Sequence, residues 1–301
     1  HRRYERFPIV DTPVAEGVTP DFSSLEHTTL MHTLKQYGSY VNTTDVQLAA
    51  AADPVLKIIS ERQATQAGET IDFLSFKAFR AGTQVKYVGT SASARSDVDF
   101  TIGGIAPTLN DPSAGTQVLA PLQTAIRALQ NNDAIKLKSK LKASVGIATE
   151  PIRESYVAIC HPDLQQDIQA LPGFVAVEKY SDSGDVIEGE IGGVEGVRFI
   201  TTTQATPFKD AGDTNGAGAG AVSTGGSNND VYPVLIFAED AIGCATLGGM
   251  DSLRSKVVMP KPGPGDPLGQ RGTVAWDTFY SCIILQDLWM YRLEVVATKL
   301  S

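Results

Sequence analysis

The sequence predicts an α+β fold, and three observations carry that prediction. The elements run as a β-rich arm, one long helix, a mixed middle and a β-rich close. They do not alternate strand and helix, so a doubly wound parallel sheet is not expected. Apolar residues recur with a helical period from Pro54 to Ala81, an unusual length for one helix. The segment from Val274 to Ala297 is dense in β-branched and aromatic residues, which favour strands. A chain of 301 residues with 42% hydrophobic and 20% charged content can bury a sizeable core. No run approaches the roughly 20 apolar residues that span a bilayer.

Residues 1–43 read as two β segments, Tyr4 to Val10 and Thr28 to Val41, joined through the turn formers Pro13, Gly17, Pro20 and Asp21. Little apolar content lies on either face, so such an arm needs a neighbour to pack against. Asn42 to Asp45 supply candidate caps, and Asp53-Pro54 offers a second helix start. From Pro54 to Ala81 the helix would be about 42 Å long at roughly 1.5 Å per residue. Gly82 reads as its C-terminal cap, and Gly68 inside it as a place of close packing. Gln84 to Gly89 reads as a strand and residues 90–115 as loop. Val118 to Leu129 reads as a second amphipathic helix, stopped by Asn131-Asn132-Asp133.

In the second half, Ser155 to Ile159 reads as a strand, and His161-Pro162-Asp163 opens a helix to about Ala170. Val175 to Tyr180, Val197 to Thr203 and Val231 to Phe237 read as strands. Residues 210–230 read as a mobile low-complexity loop. Glu239-Asp240 is expected to start a short helix. Val274 to Leu285 and Leu288 to Ala297 are expected to form a β-ribbon turned at Gln286-Asp287.

The chemistry of the chain is sparse. Net charge is −9, which argues against a dedicated duplex-DNA binder but suits a container from which a polyanion can slide. His27 and His32 are five apart and would not share a helical face. Cys160, Cys244 and Cys282 read as buried free thiols of a protein made in a reducing cytoplasm. Cys160 beside His161 ends a strand more readily than it forms a dyad. The glycines of Gly216 to Ala221 match a dinucleotide fingerprint by letters only, without a preceding strand. No catalytic, cofactor or metal constellation is found, and no enzyme activity is expected. Glu188 and Glu190 would share a strand face, with Arg198 on the next strand as a structural ion-pair partner. Lys136, Lys138, Lys140 and Lys142 alternate with apolar and small residues. They form either a lysine-protected edge strand or a weak basic patch facing DNA or an acidic neighbour. Asp266, Gln270 and Arg271 sit in a stiff Pro/Gly loop. Arg271 there makes either a local loop bond or a contact across a subunit boundary.

Four segments also carry a resemblance. They are Thr12-Pro13 to Pro20; Gln36-Tyr37-Gly38-Ser39-Tyr40-Val41; Gly189 to Gly192 with Gly196 to Phe199; and Pro264 to Trp276 with Phe279-Tyr280 and Leu288 to Arg292. In this order they resemble the major capsid proteins of N-four-type tailed phages. The resemblance implies a Hong Kong 97-like phage capsid fold: an extended β-arm (residues 1–43), a peripheral domain (44–155) with a spine helix at about 54–81, an axial domain (156–260), and a C-terminal β segment (261–301) returning to the core. It implies no enzyme and no cofactor. It implies self-assembly into hexamers and pentamers of an icosahedral virion shell made in a bacterial cytoplasm. Portal, scaffolding and decoration proteins would be partners, with non-specific contact to packaged double-stranded DNA and no membrane. An encapsulin-like nanocompartment shares that fold, and a secreted β-rich hydrolase or adhesin is the reading from another class. The chain opens at His1 without methionine or leader, as expected if an upstream segment has been removed.

Overall fold

A computed structural model describes the chain except residues 1, 6, 8, 12, 14–15, 18, 20–21, 51–52, 90–91, 100–119, 138–153, 181–185, 215–219, 248–252, 263–264 and 301. Strands β1 (Arg2–Tyr4) and β2 (His27–Thr29) pair antiparallel and close the arm at its base. Strand β3 (Lys35–Thr44) leads into helix α1 (Asp45–Ala50), where Thr44 Oγ1 accepts from the Gln47 N–H at 3.2 Å and caps the first turn. Helix α2 (Val55–Phe79) follows, then β4 (Val85–Tyr87), a 3₁₀ turn at Arg95–Asp97, and helix α3 (Ala120–Asn131). The second half holds β5 (Tyr156–Cys160), α4 (Gln165–Gln169), β6 (Val175–Ala176), β7 (Glu190–Val194) and β8 (Val197–Thr201). It ends with β9 (Val231–Phe237), β10 (Ile242–Thr246), β11 (Arg254–Val258), β12 (Arg271–Ile284) and β13 (Met290–Val296).

Two main sheets organise these elements. A mixed seven-stranded sheet runs β4-β13-β9-β5-β8-β7-β6, with β4 parallel to β13 and β5 parallel to β8. Every residue of β9 and β13 is buried, because both faces of the sheet are covered. On one face Leu122, Ala125 and Leu129 of α3 pack with Ile236, Leu293 and Val295; on the other, Phe76 and Phe79 of α2 meet Leu235, Phe237 and Met290. A second sheet centres on β12, with β3 along one side and β11 and β10 along the other. Helix α2 lies on it through polar as well as apolar contacts. Gln63 Nε2 donates to Val274 O at 2.7 Å, Trp276 Nε1 to Gln66 Oε1 at 3.2 Å, and Ser75 and Tyr280 share a hydroxyl bond of 2.6 Å.

Several expectations need correction. The C-terminal ribbon does not form: β12 and β13 lie in different sheets, separated by a 3₁₀ turn at Asp287–Trp289. A strand as fully buried as β13 needs partners on both edges and cover on both faces, and β9 and β4 supply the edges. Glu239-Asp240 starts no helix; Asp240 turns the chain with φ 57° straight into β10. Val175 to Tyr180 is strand only at Val175–Ala176 and then tightens into a 3₁₀ turn. The described flanks of the 210–230 loop are tied down. Asp230 is buried and accepts from the Asp210 N–H at 2.7 Å and from Thr224, while Asp210 accepts from the Asn228 N–H at 2.7 Å.

Two glycines also differ from expectation. Gly82 is no left-handed cap; it clears the way for β13, since a Cβ there would overlap the Met290 methyl group. Gly68 has no close neighbour, and a Cβ there would meet nothing within 4 Å. Gly68→Ala is therefore expected to stabilise the subunit by about 0.5–1 kcal/mol in urea denaturation. A loss of stability would show a demand on that backbone that the helix does not reveal.

Candidate functional site

The chain places a stiff, outward-facing polar loop at the start of β12. Gly269 takes φ 64°, and a Cβ there would lie 2.6 Å from Lys261 C and Pro262 N, so only glycine closes this turn against its own opening residues. The Asp266 carboxylate accepts from the Arg271 N–H at 2.8 Å, and Asp266 O accepts from the Gly269 N–H at 3.0 Å. Gln270 O accepts from the Asp45 N–H at 3.1 Å, tying the loop to the start of α1. Asp266 is thus spent on the loop backbone and not on the Arg271 guanidinium. Arg271 and Gln270 point their side chains into solvent beside the exposed Leu268. Arg271 itself is paired in register with Thr44, so its backbone is fixed while its side chain is free to reach outward.

The arm is the second exposed feature. Ile9 is 95% exposed, Phe22 93% and Met31 91%, so the arm offers large apolar side chains to solvent at several points along its length. Its base is anchored: Arg3 bonds Glu5 at 2.6 Å and also reaches Gln286 and the Leu285 carbonyl. Thr28 Oγ1 donates to Glu5 at 2.9 Å across the hairpin.

Glu190 and Arg198 are brought together across β7 and β8, with Arg198 Nε 3.9 Å from Glu190 Oε1 and both side chains fully buried. Tyr180 O–H donates to Glu190 Oε1 at 2.7 Å, and the Ile187 N–H to Oε2 at 3.0 Å. Burial first, and then that bond to Glu190, pushes the Tyr180 phenol well above its ordinary range. Glu188 does not join this pair. Gly189, at φ 79°, makes a turn there instead of a strand, and Glu188 is exposed. Lys136 lies in irregular chain after α3 rather than on a strand; Lys138, Lys140 and Lys142 lie outside the described residues.

The titratable groups singled out earlier resolve as follows. Cys160 is buried, and loss of solvent pushes its thiol up to about 12, so it stays protonated. The other two cysteines are not free: Cys244 and Cys282 are direct partners across β10 and β12 and form a disulfide. Two β segments 38 residues apart gave no sign of that pairing. His161 Nδ1 accepts from the Asp163 N–H and caps its helix, and His32 bonds Ser281 Oγ at 2.8 Å. Among the described residues no cluster of His, Cys, Asp and Glu could hold a metal.

One charged cluster was missed altogether. Glu294, buried on β13, accepts from Arg95 Nε at 2.6 Å and Nη2 at 2.7 Å, and lies 2.9 Å from Arg292 Nε. The available signal was the pair Arg292 and Glu294, two apart in an otherwise apolar strand and so on one face.

A family model described as phage capsid protein matches residues 27–287. The major capsid protein of Pseudomonas phage KPP21 is 24% identical over 281 residues, covering 88% of this chain and 66% of that protein. The chain therefore spans just under two thirds of that relative. Among solved structures, the head of Helicobacter pylori bacteriophage KHP40 superposes with TM-score 0.59 at 11% identity, covering 99% of this chain and 84% of that one. The capsid of Helicobacter pylori bacteriophage KHP30 gives 0.58 at 12% (98% and 84%), and that of Ralstonia phage GP4 gives 0.57 at 13% (100% and 82%). At these identities the likeness is one of fold, and the fold is the α+β, Hong Kong 97-like one of phage capsid heads.

Proposed function

The chain belongs to the phage capsid protein family, and from that premise we propose that it is a major capsid protein, assembling with copies of itself into an icosahedral shell around double-stranded DNA. One observation carries the proposal beyond family membership. The arm projects Ile9, Phe22 and Met31 almost fully and Val10 largely into solvent, and such apolar side chains gain free energy when a neighbour covers them. At roughly 25 cal/mol per Å² of apolar surface removed from water, each arm supplies a modest contact. Repetition around a closed shell then turns modest contacts into a stable particle while leaving single errors reversible. The net charge of −9 fits an enclosure that does not grip its polyanionic content.

Within this reading, residues 1–43 serve as the arm, with β3 sewn to β12 at its root. Residues 44–155 form the peripheral domain along α2, residues 156–260 the axial domain, and residues 261–301 return to the core. The seven-stranded sheet supports that return, since β13 lies between β9 and β4. Hexamers and pentamers would be the building units, with portal, scaffolding and decoration proteins as further partners. A nanocompartment shell is the less favoured reading, because the matching family and the relatives named above are phage capsids. Among the described residues no helix is long and apolar enough to cross a membrane.

Arg271 and Gln270 are proposed to cross a subunit boundary, with Asp266 keeping their loop rigid. Arg271→Ala is expected to leave the subunit folded, with an unchanged urea midpoint, and to lower particle yield several-fold in sedimentation velocity. Normal yield and particle stability would remove the boundary role.

A further inference from the structure

Away from the loop and the arm, three arginines crowd one carboxylate. Arg80 follows the end of α2, Arg95 sits in the 3₁₀ turn, and Arg292 lies on β13; Arg95 and Arg292 both contact Glu294, which is fully buried. Among the described residues these three cations stand around one anion, with Arg95 and Arg292 in contact with it and Arg80 within its field, in a protein whose net charge is −9. The C-terminal end of α2 offsets only about half an elementary charge of their positive charge. Arg80 and Arg95 are held together by an aromatic ring instead of an acid, their guanidinium carbons lying 3.8 Å and 3.4 Å from the Phe208 ring centre.

Beside them opens a concavity of about 340 Å³ lined by Phe73, Phe76, Lys77, Arg80, Arg95 and Phe208. Arg80 donates through Nη1 alone, to Thr206 O at 3.3 Å and Thr206 Oγ1 at 3.1 Å. Its Nε and Nη2 have no acceptor among the described residues. Arg95 spends Nε and Nη2 on Glu294, which leaves Nη1. Lys77 is exposed on the rim. Burial, and next the charge of Arg95, push the Arg80 guanidinium below its ordinary value, as expected for a cation short of a counter-ion.

We infer that this concavity binds a phosphate-type oxyanion. Arg80 presents its unspent Nε and Nη2 fork to it, Arg95 adds its remaining Nη1, and Lys77 adds a point charge at the mouth. Guanidinium groups suit tetrahedral oxyanions because they donate two parallel bonds in fixed geometry. The anion is either free inorganic phosphate or a phosphodiester of nucleic acid; both have the same chemistry, and the site stands whether or not the subunit is in a shell.

The test is isothermal titration of the purified full chain with inorganic phosphate at constant ionic strength, with acetate as control. Saturable binding of one phosphate with a dissociation constant on the order of 1 mM is expected. Arg80→Gln should weaken it at least about tenfold. Lys77→Gln, on an exposed site that cannot disturb the fold, should weaken it about threefold. Displacement of phosphate by a short DNA duplex would support the site with nucleic acid as the source; saturable phosphate binding without displacement would support it with the free anion. A non-saturable response, equal binding of acetate, or wild-type affinity in both variants would overturn the inference. Should Arg80→Gln not fold, Lys77→Gln decides alone.

Discussion

Glu294→Gln is expected to destabilise the subunit by about 3–5 kcal/mol, the cost of removing one partner from a buried ion pair. Glu294 is the one carboxylate to which Arg95 and Arg292 both turn, with contacts of 2.6 to 2.9 Å, and its side chain is wholly buried. The amide keeps the shape and removes the charge. Its NH₂ would face guanidinium donors where an acceptor stood. Among the described residues, the cations would then be left with the Arg80 carbonyl at the C-terminal end of α2 and with Thr206 to offset them. Urea unfolding should show a lower midpoint at unchanged slope, whereas Glu239→Gln, on an exposed turn, should stay within about 0.5 kcal/mol of the wild type. Equal stability of the two variants would mean the cluster is already neutralised in some other way.

Arg198→Met is expected to cost a similar amount, about 3–5 kcal/mol, for the mirror reason. It leaves Glu190 as a buried anion that, among the described residues, accepts from the Tyr180 hydroxyl and the Ile187 N–H. Adding Glu190→Gln to Arg198→Met should recover part of the loss, because the orphaned charge is then gone. The recovery measures the coupling between the two residues. A double variant no better than the single would show that Arg198 matters through contacts other than Glu190, such as the packing of its long side chain and the contact of 5.6 Å to the Tyr180 ring.

These two pairs also show what could be read in advance. Glu190 and Arg198 lie on a short hairpin whose turn is marked by Glu195 and Gly196, both at positive φ, so local pattern alone sets them on neighbouring strands. Helix α2 was legible for the same reason: its period and its Pro54 start are local, and it runs from Val55 to Phe79. Glu294 and Arg95 are 199 residues apart and meet only because β13 inserts beside β4, a pairing that no local signal reports. The separation of β12 from β13 was hidden for a related reason. A ribbon and two strands of different sheets share the same alternation, and only burial on both faces of β13 tells them apart. Gly82 and Gly68 fell to the same limit, since a glycine's letter does not say whether it serves a turn, a close neighbour or neither. Of the four segments that carried the family resemblance, the second and third fall within the matched span 27–287, the fourth does so except for Leu288 to Arg292, and the first precedes it. The resemblance thus rests mainly on β3, the β7–β8 hairpin and the loop into β12. These are places where strand pairing and tight turns restrict what residues can stand.

The central claim is that this subunit buries its arm and loop against copies of itself. The most direct test is electron microscopy with sedimentation velocity on the purified full chain, alone and co-expressed with its neighbouring genes. Closed icosahedral shells, or hexamer and pentamer rings, are the predicted result. A stable monomer under both conditions would contradict it.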